Sequence, residues 1–307
     1  MIRRRHLLSL GASLALALSL PAGARAQDKL PVVATFSILG DMVKNVGGDR
    51  VAVTTLVGPG GDAHVYAPAP NDAKTLAAAK VVFTNGLGFE GWISRLVKAS
   101  GTKAAVVTAT RGVTPLKMAE RGHEHDHGHD HGGSDPHAWQ AVGNAKIYVA
   151  NIREALIKAD PDGRAVYEAN ATRYLEALDR LDAQVREAVA AIPADRRQVI
   201  TTHDAFGYFE RAYGLDFVAP QGVSTEAEAS AKDVARIIAQ VRKHKIPAVF
   251  LENVSDPRLV KRIAEETGAK IGGTLYSDAL TDENGPAPTY IEMMRHNIRA
   301  LSLALES

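Results

Sequence analysis

The feature that most constrains this chain is a long helix-forming stretch set between two strand–helix halves. From Asp162 to Ile192 no proline interrupts the sequence, and Gly163 is its only glycine. Tyr167, Tyr174, Leu178, Leu181 and Val185 recur there at helical spacings. That pattern predicts one amphipathic helix of about 28 residues, roughly 40 Å long. A coiled-coil dimerisation helix is the alternative, but such heptads are usually sustained for longer. Before this stretch, strands are expected at 31–37, 51–57, 80–85 and 104–107, with helices at 38–46, 71–79 and 90–100. After it, strands are expected at 198–202, 216–219, 248–251 and 270–272, with helices at 205–213, 229–244, 257–267 and 288–305. Strand–helix alternation predicts parallel sheets covered by helices. The expected fold is therefore α/β: two lobes joined by one rigid helix that would limit hinge bending.

The first 26 residues read as a secretory signal peptide. Arg3, Arg4 and Arg5 precede an apolar run from Leu7 to Leu20, and Ala24-Arg25-Ala26 is a small-x-small cleavage site. The run is too short for a membrane helix, which needs about 20 residues. The three arginines also fit a twin-arginine route, though the general export route is the preferred reading. The expected organisation is a signal at 1–26, a lobe at 27–160, a linking helix at 161–193 and a second lobe at 194–307. With no cysteine in the chain, lipidation after the signal and disulfides are both excluded, so stability must come from a packed core. The signal carries four of the 36 basic residues and none of the 35 acidic ones, which leaves the mature chain at about −3. Nucleic acid is not an expected partner for such a balance.

The histidines carry the chemistry. Residues 123–137 read HEHDHGHDHGGSDPH, with His123, His125, His127, His129 and His131 alternating with Glu124, Asp126, Gly128 and Asp130. A Gly-rich tract dense in imidazole and carboxylate suits transient capture of transition-metal ions. The plainer alternatives are a disordered polar loop or an expression tag, and the mid-chain position with interleaved acids speaks against a tag. Elsewhere His64 sits in GPGGDAHVYAP, His137 in SDPH, His203 directly after VITT, and Asp278 in LYSDAL. All four follow expected strands, at the carboxyl edge where open α/β sheets bind ligands. Two come from each half, so they can meet in the cleft between the lobes. Three imidazoles and a carboxylate form a four-coordinate set suited to zinc. His244 and His296 lie within expected helices and read as ordinary helix residues.

The segments GDAHVYAPAPNDAKTLAAAKVVFTNGLGFEGW, SDPHAWQAVGNAKIYVANI, TTHDAFGYF, GVSTEAEASAKDVARI and LYSDAL resemble, in this order, the zinc/manganese class of ABC-transporter solute-binding proteins, cluster A-I. The resemblance extends from about residue 31 to residue 305. It implies a metal site between two α/β lobes, with ligands at His64, His137, His203 and Asp278. It also implies a periplasmic protein, not an enzyme, that delivers its ion to an inner-membrane permease with its ATPase. A metallochaperone partner and a monomeric state are further expectations. Zinc-type members often carry a His/Asp-rich insertion before the second ligand, as here, whereas manganese-type members tend to place Glu where this chain has His203. A third imidazole shifts preference from manganese toward zinc. Some members complete the site with water or with a Glu beside the first His. Here that neighbour is Ala63, so that Glu is absent, and Asp278 is a departure from those members. The reading is thus high-affinity zinc uptake, with manganese or another divalent metal as the alternative. A zinc hydrolase and a metal-dependent adhesin are more distant alternatives. Against the hydrolase stand the lack of an HExxH-type motif or evident general base beside these four residues and a carboxylate in the position that catalytic zinc leaves open.

Overall fold

The structure, a computed structural model, describes residues 28–117 and 133–306. The signal peptide expected at 1–26 and the alternating histidines at 123–131 lie outside the described residues.

Two four-stranded parallel sheets form the frame. The first contains β1 (Leu30–Phe36), β2 (Val51–Val57), β3 (Val81–Thr84) and β4 (Ala105–Thr108), in the order β2-β1-β3-β4. The second contains β5 (Gln198–Ile200), β6 (Asp216–Val218), β7 (Ala248–Glu252) and β8 (Lys270–Leu275), in the order β6-β5-β7-β8. The strand orders are the same, so the halves repeat one topology. β3 is buried along its whole length and β1 along most of it. Their near-continuous apolar sequences are what a parallel strand covered on both faces requires. The register of β7 against β8 slips between Val249 and Leu251, beside Gly273 at φ 123°. Glycine adopts that backbone without steric cost.

The helices are α1 (Ser37–Gly47), α2 (Pro70–Ala78), α3 (Ile93–Ser100), α4 (Val142–Ala159), α5 (Arg164–Ala191), α6 (Gly207–Tyr213), α7 (Ala231–His244), α8 (Pro257–Thr267) and α9 (Tyr290–Leu305). Ser230, Asp256 and Thr289 each accept a backbone N–H from the first turn of α7, α8 and α9. Such caps are worth about 1 kcal/mol apiece. The expected long helix is α5, of 28 residues. It buries Tyr167, Ala171, Tyr174, Leu178, Leu181, Val185 and Val189. That stripe packs on α1 and α4 of the first lobe and on α6 and α9 of the second.

α4 is an addition to the sequence reading, which leaves 142–159 unassigned. Its buried Ala145, Tyr148, Val149, Ile152 and Leu156 follow a helical period and fill the space between the first sheet and α5. The larger hydrophobic core does not stop at the lobe boundary: it runs from β1 and α1 through α4 and α5 to α6 and α9. A second, smaller core of Ile200, Val218, Ile237, Val241, Val249, Val260 and Ile263 lies under α7 and α8. Among the described residues no helix is long and apolar enough to cross a membrane.

Candidate metal centre

Each expected side chain sits on a loop leaving the carboxyl end of a strand, although the strands are not equivalent. His64 follows the edge strand β2, His137 comes after the edge strand β4, His203 follows the inner strand β5, and Asp278 follows the edge strand β8. The His64 loop is held by its backbone. Asp62 Oδ1 accepts the His64 N–H at 2.9 Å, Trp92 Nε1 donates to Ala63 O at 2.8 Å, and Gly60 N donates across the cleft to Leu280 O at 2.9 Å. The His137 loop is tied to both lobes. Asn85 Nδ2 donates to Pro136 O at 2.9 Å, while Trp139 Nε1 and Gln140 Nε2 both donate to Ser277 O, at 2.9 and 2.8 Å. Ser277 precedes Asp278, so these bonds fix the second and fourth positions to one another.

The four side chains converge. Each offers a ligand atom within 4.8 Å of all the others, and all four residues are buried. His64 Nε2 lies 3.2 Å from His137 Nε2 and 3.3 Å from Asp278 Oδ2. His203 Nε2 lies 3.2 Å from Asp278 Oδ2, and His137 Nε2 lies 3.6 Å from Asp278 Oδ1. Asp278 Oδ1 is buried without a hydrogen-bond partner. Three imidazoles thus turn Nε2 toward one carboxylate. Beneath them Phe36, Phe89 and Trp139 form an apolar floor, with the His64 ring edge-on to Phe89 at 4.7 Å between centroids.

Two further carboxylates stand behind the rings. Asp135 Oδ1 lies 2.8 Å from His137 Nδ1 and also accepts the His137 N–H at 2.9 Å. Glu252, at the end of β7, places Oε2 2.6 Å from His203 Nδ1, while its Oε1 accepts the backbone N–H groups of Thr202 and His203. Sequence reasoning missed both roles. Asp135 was visible as the acid of the Asp-Pro-His step, and Glu252 as a lone acid closing the apolar run AVFLE. His244 and His296 take no part in the cluster, and His296 Nε2 instead contacts Thr274 O at 3.0 Å.

The electrostatics follow from this stacking of acids and imidazoles. Burial opposes a charge on His137, but Asp278 and Asp135 override it and push the imidazole up to about 9. Burial likewise opposes a charge on His203, and Glu252 and Asp278 raise its pKa well above the usual histidine value. Burial alone would raise Asp278, yet His137 and His203 hold it well below the usual carboxylate range. Without a cation the pocket therefore keeps protons where a metal ion would supply positive charge.

Over residues 32–304 the chain matches the family described as zinc-uptake complex component A, periplasmic. The chain belongs to this family. Its members are metal-binding solute-binding components of ABC transporters, work with a membrane permease and its ATPase, and are not enzymes. The hydrolase alternative falls with that membership, and a divalent metal ion is the cargo of this chain. Among relatives of the zinc-uptake family, the chain is 36% identical over 275 residues to the iron-binding protein YfeA of Yersinia pestis, covering 89% of this chain and 86% of that protein. It is 35% identical over 272 residues to the manganese-binding lipoprotein MntA of Halalkalibacterium halodurans, covering 88% and 87%. Among solved structures, the periplasmic zinc-binding protein TroA of Treponema pallidum superposes with a TM-score of 0.83 at 32% identity, over 91% of this chain and 100% of that one. A manganese-bound periplasmic metal-binding protein from Candidatus Liberibacter asiaticus gives 0.79 at 31% identity, again over 91% and 100%. Iron, manganese and zinc all appear among these names, so family membership leaves the choice of metal to the site.

Proposed function

We propose that this chain is a periplasmic zinc-capture protein that holds one Zn(II) with His64, His137, His203 and Asp278 and delivers it to its permease. The observation that carries this reading is the buried convergence of three imidazole nitrogens on one carboxylate. A tetrahedral zinc site has bonds of about 2.0–2.1 Å, which places its ligand atoms roughly 3.3 Å apart. Four separations among these atoms, 3.2 to 3.6 Å, are close to that spacing. Manganese favours oxygen-rich, six-coordinate shells, which three imidazoles do not offer. Copper, nickel and cadmium would also enter an imidazole-rich site, so selection among them rests on geometry and supply.

Within this reading, residues 1–26 are the export signal, 27–160 and 194–307 the two lobes, and 161–193 the linking segment. The protein acts as a monomer, and a metallochaperone is a candidate second partner. His123, His125, His127, His129 and His131 form an auxiliary loop that binds further zinc weakly and feeds the main site.

Manganese or iron uptake is the second reading, favoured by the names of the two curated relatives. One experiment separates the two: metal analysis of protein isolated from the periplasm, followed by titration of zinc against manganese. The proposal expects one tight zinc that manganese does not displace at equal concentration. Displacement of zinc by manganese would overturn it. The same titration on a chain lacking 123–131 should still show one tight zinc, with fewer weak ones. Loss of the tight site would make the loop a primary ligand.

A further inference from the structure

We propose that Gly207 and Tyr208, at the start of α6 in the second lobe, are positioning residues for His137 and act through Asp135. This inference rests on the assignment of His137 as a ligand. Asp135 takes the Nδ1 side of the His137 ring, which leaves Nε2 for the cluster. What holds Asp135 therefore sets where His137 points.

Both holding groups come from α6. The Tyr208 hydroxyl accepts the Leu116 N–H at 3.0 Å and donates to Asp135 O at 3.2 Å. Leu116 and Asp135 are themselves joined, Asp135 N donating to Leu116 O at 2.8 Å, beside the antiparallel bridge between Lys117 and Ser134. One buried hydroxyl thus fastens the two chain segments that meet immediately before His137. Gly207 acts on the side chain. A Cβ at this position would stand 2.7 Å from Asp135 Oδ2, closer than real Cβ contacts come. Gly207 is not among the positive-φ glycines, so its backbone conformation does not itself call for glycine. A glycine in the first turn disfavours the helix relative to alanine. The Asp135 carboxylate, rather than the backbone, is what requires it there. His203 lies four residues upstream of Gly207. The segment that supplies one ligand therefore also braces another that comes from the opposite sheet.

The test uses the mature chain with Tyr208→Phe, Gly207→Ala and His137→Ala, alone and combined. Affinity is read by zinc competition titration, and coordination by the visible absorption of the cobalt(II)-loaded protein. Tyr208→Phe and Gly207→Ala should each weaken zinc binding about tenfold to a hundredfold, the usual effect of losing a group that orients a metal ligand. Each should also change the cobalt bands. In the His137→Ala background Tyr208→Phe should weaken binding no further, because its effect passes through that ring. A general loss of stability would instead add fully to the His137→Ala loss, and that outcome overturns the proposal. So would wild-type affinity and cobalt bands in Tyr208→Phe, which keeps the ring packing and carries the test alone if Gly207→Ala does not fold. If His137→Ala itself left affinity and bands unchanged, the ligand assignment would fail first and take this inference with it.

Discussion

His203 and His64 present the same imidazole nitrogen to the same carboxylate, but from different mounts. His203 is fully buried a short step beyond an inner strand, with Glu252 against its ring and its backbone. His64 is 9% exposed on a Gly/Pro loop after an edge strand, with no carboxylate on Nδ1 among the described contacts. Its restraints are a backbone bond to Asp62 and a T-shaped contact with Phe89. Asp62 is in turn fastened across the cleft by Thr225, whose hydroxyl donates to Oδ2 at 2.6 Å. The difference teaches that one wall of the site is set by the sheet, whereas the His64 rim is set by loop contacts. On the proposed assignment, His64 should be the first of the four to leave when the ion is released.

The largest effect should come from the ligands themselves. Zinc at a hundredfold excess over its dissociation constant should stabilise the fold by about 2.7 kcal/mol. Calorimetric melting should lose that increment completely in the triple His64/His137/His203→Ala variant. Singly, His203→Ala should weaken zinc binding more than His64→Ala. Equal losses would break the contrast between the two walls. Asp278→Ala should weaken binding without unfolding the chain.

The groups behind the rings should come next. Glu252→Gln and Asp135→Asn should each cost about tenfold to a hundredfold in affinity. Asp62→Asn should cost less, because Asp62 touches the backbone of His64 and not its ring. Stopped-flow transfer of zinc to a chelator should nevertheless be faster in that variant. An affinity loss for Asp62→Asn as large as for Glu252→Gln would mean that the two rims are held alike.

These supporting groups also mark where sequence reading stops. The strand ends and the four converging residues were legible, because a short apolar run followed by a His or Asp is a local pattern. Glu252 was not, since its role depends on β7 lying beside β5, a neighbour 50 residues away. Asp135 depends on the tight start of α6 for the same reason. α4 is a different case. Its buried positions carry a helical period as clear as that of α5, but the segment gives no strand to anchor it and follows the histidine tract directly.

Protonation supplies a further test of the buried wall. His137 is raised from 6.5 to about 9. Its contribution to the metal-free fold is therefore complete below pH 6.5 and is lost as pH rises through about 9. Asp278 is depressed below 3.8, so its contribution is present above that value and is lost in acid as pH falls through its lowered pKa. On the proposed assignment zinc displaces a proton from His137 at pH 7, and apparent affinity should rise about tenfold per pH unit for each proton displaced. Titration calorimetry in buffers of different ionisation heat should report at least one proton released per zinc. No release would contradict the charged state assigned to His137.

The smallest expected change is in overall shape. α5 packs on both lobes, and the larger core is continuous through it. Small-angle scattering should give nearly the same radius of gyration with and without zinc. A marked compaction on binding would show a hinge that this core does not allow.

The most direct measurement is a crystal structure of the zinc-loaded protein with anomalous data at the zinc edge. One strong peak is expected in the cleft, about 2.0–2.2 Å from Nε2 of His64, His137 and His203 and from an oxygen of Asp278, with no water in the shell. A peak elsewhere, or Asp278 turned away with waters completing a larger shell, would contradict the closed three-imidazole, one-carboxylate site.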